Sequence, residues 1–165
     1  MKRLLKSFEY AFKGIAFCIV NERNFRIHLC FFAYLFGFLT LRDFFSVNKT
    51  QFAILTLTSA LVISLELINT AVEKAVDLAC HGQKNDLAKA AKDVCAGTVL
   101  VSAIAAVAVG ILILYQPEAF SAMYVYYKSN PIEIILLSAT IAASLVFVFA
   151  GPKKIADLFS KRSKK

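Results

Sequence analysis

The sequence predicts an all-α integral membrane protein, and three observations carry that expectation. Hydrophobic residues make up 59% of the 165-residue chain, with a mean hydropathy of +0.66, which is too apolar for an ordinary soluble domain. Two runs long enough to cross a bilayer, Val94 to Tyr115 and Ile134 to Ala150, contain no Asp, Glu, Lys or Arg. The basic residues, which give a net charge of +8, collect in the connections on one side of the predicted spans.

The elements follow in order. Residues 4–20 form an amphipathic surface helix: Leu4, Leu5, Phe8, Ala11, Phe12, Ile15 and Ile19 recur at helical spacing, while Lys2, Lys6, Glu9 and Lys13 take the opposite face. The same charges interrupt any signal-peptide core. The first span is expected over 27–47, extending IHLCFFAYLFGFLTL toward Val47. The second, over 52–79, is apolar up to Leu65 and then turns polar. CHGQKND ends it with turn-forming residues. The third span covers 94–115. QPEAFSAMYVYYKSNP connects it to a fourth over 132–150, and Tyr124, Tyr126 and Tyr127 in this connection suit an interfacial aromatic belt. Residues 1–116 read as one unit and 117–165 as a connection, an appended helix and a basic tail. Sixteen of the 19 Lys and Arg fall on the side of the termini and the loop between spans two and three, leaving only Arg42, Lys49 and Lys128 opposite. The positive-inside rule therefore places both termini in the cytoplasm.

Several function classes are excluded. The basic residues track the spans rather than one solvated face, which argues against nucleic acid. Glycines are never closer than thirteen residues apart, so neither a P-loop nor G-x-G-x-x-G exists. His28 and His81 are the only histidines, too few for a triad-and-zinc inventory, and the four cysteines lack C-x-x-C spacing.

LELINTAVEKAVD holds the chemistry. At 100° per residue, Glu66, Asn69, Glu73 and Asp77 fall within roughly 80° of one another. Carboxylates at membrane depth are costly unless they face a protein interior or a bound cation, and a divalent metal would relieve their mutual repulsion. Solvation beyond the hydrocarbon edge is the competing reading, strongest for Asp77 and weakest for Glu66. Glu22 enters the first span and Lys92-Asp93 the third, at the same level. Carboxylates for a metal and a lysine for phosphate suit a magnesium-nucleotide.

With RLLKSFEYAFKGI, ERNFRIH, SLELINTAVEKAVDL and LAKAAKDVCAGTVL in this order, the chain resembles the small prokaryotic membrane kinases of the diacylglycerol kinase type, most nearly the undecaprenol kinases of Gram-positive bacteria. The resemblance implies a three-helix kinase core with the surface helix, assembled as a homotrimer, and one additional C-terminal transmembrane helix. It implies that Glu22 and Glu73 hold Mg2+ on the ATP phosphates, Lys92 contacts those phosphates and Asn69 lies beside them. Asp77 and Asp93 would face the nucleoside, and Glu66 would be the general base on the lipid hydroxyl. Arg3, Tyr10 and Gly14 would line nucleotide and lipid entry. The acceptor is expected to be undecaprenol, with diacylglycerol the alternative. A non-enzymatic polytopic protein using the same carboxylates for cation passage is a third reading. The sequence departs from the family where Lys84-Asn85-Asp86 replaces a His-Pro, with His81 as a shifted substitute, and in its extra span.

Overall fold

The computed structural model describes residues 2–81 and 83–162. Gly82 in the predicted turn, and the end of the basic tail at 163–165, lie outside the described residues. Six helices follow one another: α1 (Lys2–Asn21), α2 (Arg23–Leu41), α3 (Lys49–Cys80), α4 (Asp86–Leu114), α5 (Pro117–Ser129) and α6 (Pro131–Arg162). Four of them, α2, α3, α4 and α6, are long and apolar enough to cross a membrane. Many large apolar side chains point outward along them, Leu57, Leu100, Leu112 and Phe149 among them. Such exposure is expected of surfaces that face lipid.

Local chemistry sets the boundaries. Asn48 begins α3 with a reciprocal capping box, its side chain accepting from Gln51 N while Gln51 Oε1 accepts from Asn48 N. Asn85 caps α4 by accepting from the amides of Leu87 and Ala88. His81 closes α3 in the left-handed conformation (φ 47°). The first span is shorter than expected: α2 stops at Leu41 and Arg42 is extended. The chain does not continue helically to Val47, because Arg42 is drawn into a polar network. Its guanidinium bonds Glu133 Oε2 at 2.6 Å and Tyr126 Oη at 2.8 Å, and the Tyr126 hydroxyl donates to Glu133 Oε1 at 3.2 Å.

That network also alters the aromatic belt. The connection between spans three and four is itself a helix, α5, and Tyr126 and Tyr127 pack against Phe44. Only Tyr124 remains 67% exposed.

Helices α3 and α4 form the most extensive pair, and α6 packs against both α1 and α2. The fourth span is thus seated on the core by its own side chains, including a Tyr34–Ser144 hydrogen bond of 3.1 Å. Its first segment, from Pro131 to the break at Gly151, is about 30 Å long, one hydrocarbon thickness. Gly151 has φ 73° and ψ 161°, a region open essentially to glycine alone.

The break has a chemical cause. In a continuous helix the Val148 carbonyl would accept from residue 152, which is proline and has no N–H. Arg26 fills the gap. Its Nε and Nη2 donate to Val148 O at 3.2 and 3.0 Å, and Nη1 donates to Ile19 O and Val20 O at the end of α1. Arg26 is 5% exposed and has no carboxylate partner among the described residues. Two helix C-termini instead direct their negative ends at it, an arrangement that stabilises a partly buried cation by up to about 2 kcal/mol.

A Cβ at position 151 would lie 3.3 Å from Arg26 Nη2 and force an L-residue into the glycine region. Gly151→Ala is therefore expected to lower stability by about 1–3 kcal/mol; thermal unfolding in detergent would measure it, and an unchanged midpoint would contradict this account of the break.

Candidate active site at the α1–α2 joint

The deepest polar residues cluster where α1, α2 and α3 meet. Glu66 lies 17 residues, or about 26 Å, from the start of α3, near the far edge of a 30 Å hydrocarbon layer. It is only 3% exposed, and Asn69 and Thr70 one turn on are also buried. The Glu22 and Glu73 carboxylates are close enough to Glu66 to interact with it electrostatically. Asn69 Nδ2 donates to Glu73 Oε1 at 3.0 Å. Its own Oδ1 is buried without a hydrogen-bond partner. An orphaned buried carbonyl oxygen costs about 1–3 kcal/mol, and a cation or donor shared with the neighbouring Glu73 would satisfy it.

Glu22 is delivered to this cluster by the joint itself. It occupies the N-cap position of α2, yet its side chain makes no capping hydrogen bond. Its carboxylate instead meets Lys74 Nζ at 3.4 Å. Beneath it, Cys18 is buried on α1 and faces the Thr70 hydroxyl. Burial raises the Cys18 thiol pKa above its ordinary value, the Thr70 hydrogen bond opposing this in part.

A second group sits farther along the α3–α4 hairpin. Lys92 Nζ donates to Asp77 Oδ1 at 2.9 Å, and both line an open groove of about 450 Å³ together with Asp93, Lys84 and Lys89. His81 is exposed and is not part of this lining.

The structure therefore brings Glu22, Glu66, Asn69 and Glu73 together, and separately Asp77, Lys92 and Asp93. Arg3, Tyr10 and Gly14 lie on the exposed part of α1 and bond to neither group. No three His, Cys, Asp or Glu side chains form a ready-made metal centre among the described residues. Lys74, Thr70 and Cys18 escaped the sequence reading. Thr70 and Lys74 are four residues apart, on the stripe of α3 next to the carboxylates, and that spacing was the available signal.

The prokaryotic diacylglycerol kinase family profile matches residues 9–114, from within α1 to the end of α4. The chain belongs to that family. It is 44% identical over 114 residues to a protein of Synechocystis sp. (strain ATCC 27184 / PCC 6803 / Kazusa) named diacylglycerol kinase, covering 69% of this chain and 63% of that one. It is 37% identical over 115 residues to the undecaprenol kinase of Bacillus subtilis (strain 168), covering 68% of this chain and 89% of the relative. A Haemophilus influenzae diacylglycerol kinase (strain ATCC 51907 / DSM 11121 / KW20 / Rd) is 33% identical over 104 residues, covering 62% of this chain and 83% of the relative. No solved structure is matched significantly. In this family member the whole carboxylate cluster lies inside the matched segment, whereas α5 and α6 lie beyond it.

Only the thiolate attacks an alkylating reagent, and Cys18 is buried, which also raises its thiol pKa. A water-soluble maleimide at neutral pH should modify Cys80 while leaving Cys18 largely unmodified, as read by peptide mass spectrometry. Comparable rates at the two thiols would contradict the packing of α1 on α3.

Proposed function

We propose that this protein phosphorylates a membrane lipid alcohol, transferring the γ-phosphate of ATP directly to the hydroxyl. The observation that carries the reading is the buried Glu66, within electrostatic reach of Glu22 and Glu73, with Asn69 bonded to Glu73 and its own oxygen unpartnered, all inside the segment matched to the kinase family. Undecaprenol is the acceptor we favour, because ERNFRIH and LELINTAVEKAVDL resemble the polyprenol branch. Diacylglycerol is the second reading, favoured by the higher identity to the Synechocystis relative.

Each residue has a task that its surroundings support. Glu66, the most buried carboxylate, takes the proton from the lipid hydroxyl as it attacks. Glu22 and Glu73 would hold Mg2+, and the free Asn69 oxygen is a further hard donor beside them, which suits that ion. Magnesium bound there supplies neutralisation of the ATP phosphate charge. Lys74 balances Glu22 in the meantime, and being 53% exposed it can leave at little cost. Lys92 exchanges Asp77 for phosphate, and the groove beside it, with Asp77 and Asp93, receives the nucleoside.

A lipid tail holds the hydroxyl at the membrane surface, so positioning and charge stabilisation carry most of the catalysis. The positive-inside bias supports a bacterial cell-membrane enzyme whose site and termini are cytoplasmic. A homotrimer is the proposed assembly, resting on the family resemblance. The exposure of Arg3, Tyr10 and Gly14, away from their own carboxylates, suits action on a neighbouring protomer's site.

Transfer of labelled phosphate from ATP to undecaprenol and to diacylglycerol in mixed micelles tests the reading. Glu66→Gln should lose about 10²–10⁴-fold in kcat, and Glu73→Gln should need more magnesium. No transfer to either alcohol sinks the kinase reading; full activity of Glu66→Gln sinks the base assignment alone. Lys74→Met, by removing the competing cation, should lower the magnesium concentration for half-activity by a few fold, and an unchanged requirement would remove Lys74 from the site.

A further inference from the structure

The fourth span makes a specific connection to the carboxylate cluster. Arg26 is one turn along α2 from Glu22. Its guanidinium grips the last carbonyls of α1 on one side and the Val148 carbonyl of α6 on the other. Just past the α6 break, Lys153 Nζ donates to Asn21 Oδ1 at 2.9 Å. Asn21 is the residue immediately before Glu22. The α1–α2 joint is therefore held from α6 at two points, one on each side of Glu22.

Glu22 itself is held through its backbone, its N–H donating to Cys18 O at 2.9 Å, while its side chain is tied far more weakly. Glu22 lies between two helices with extended backbone (φ −106°, ψ 114°) and without a side-chain cap. The backbone bond from Arg26 N to Glu22 O is long, at 3.4 Å. The Lys74 contact also reaches 3.4 Å. A carboxylate so loosely tied takes its direction from whatever clamps the backbone around it.

From these contacts we infer that the C-terminal helix is a positioning element of the active site: the Arg26 clamp on the Val148–Pro152 break, assisted by Lys153, sets the Glu22 carboxylate for its metal. The role of Glu22 rests on the function proposed above, whereas the clamp itself does not. Pro152 is the key to the device. It frees the Val148 carbonyl that Arg26 requires, and Gly151 allows the guanidinium its close approach.

The test uses the full chain in membranes, with Arg26→Met and Pro152→Ala. Pro152→Ala restores an N–H that competes for the Val148 carbonyl and touches no residue assigned to catalysis, so it guards against a simple folding failure of Arg26→Met. The first readout is independent of activity: alkylation of Cys18, which is buried one turn before the joint. Both variants should speed it by about tenfold. The second is kinetic. The magnesium concentration for half-activity should rise about tenfold, the lower end of what losing a group that orients a metal ligand costs, while the KM for the lipid stays within about twofold. Arg26→Lys, retaining the charge and a single donor nitrogen, should fall between the parent and Arg26→Met in both.

Unchanged Cys18 alkylation in both variants would overturn the clamp. Faster alkylation with an unaltered magnesium requirement would overturn its role in setting Glu22. A fall in kcat alone, with both requirements constant, would do the same. If the parent phosphorylates no lipid alcohol, the kinase reading fails by itself, and the alkylation measurement still decides the clamp.

Discussion

A helix that crosses lipid must satisfy its own backbone, and this chain is organised by the places where it does not. Pro152 removes one donor from α6, and the Val148 carbonyl it strands becomes the anchor for a buried guanidinium. The same guanidinium answers the open carbonyls at the end of α1. One side chain thereby joins α1, α2 and α6, and the joint it stabilises carries Glu22. At the other end of the bundle, Arg42 plays a comparable part with Tyr126 and Glu133. Polar groups at the two ends thus fix a fourth span whose long apolar surface would by itself specify no register.

The carboxylate cluster obeys the opposite logic. Its charges are left partly uncompensated, and the buried Asn69 oxygen has no partner at all. Polar residues buried at membrane depth in this way cost stability. A site that must take up a divalent cation and a triphosphate cannot already be satisfied by its own side chains. The two lysines nearby, Lys74 and Lys92, hold the acidic groups through exposed and exchangeable contacts. Such pairs contribute little to stability, which leaves both sides available to incoming charges.

Much of the fold was legible because hydropathy and helical periodicity are local properties. The surface helix, all four spans and the turn between α3 and α4 follow from runs and spacings in the chain. The stripe of Glu66, Asn69 and Glu73 was legible for the same reason, since one helix fixes their common face. The length of α2 was not, because Arg42 answers to Glu133, 91 residues away, and the direction of Tyr126 was not, because it answers to Arg42, 84 residues away. Arg26 was the most misleading residue. Counted among the charges flanking the first span, it reads as a solvated topology signal, yet it is one of the most buried side chains in the protein.

By itself the sequence determined that this is a helical membrane protein with a polar stripe at one end of its second span. It also determined that the chain is similar to a family of membrane kinases. Composition, period and motif order suffice for that, as each is written within a single segment. Only the tertiary structure decided that Lys74 faces Glu22 and that the added span reaches back to the α1–α2 joint. These depend on which carbonyl lacks a donor and which side chain can reach it, and that pairing exists only once the helices are packed.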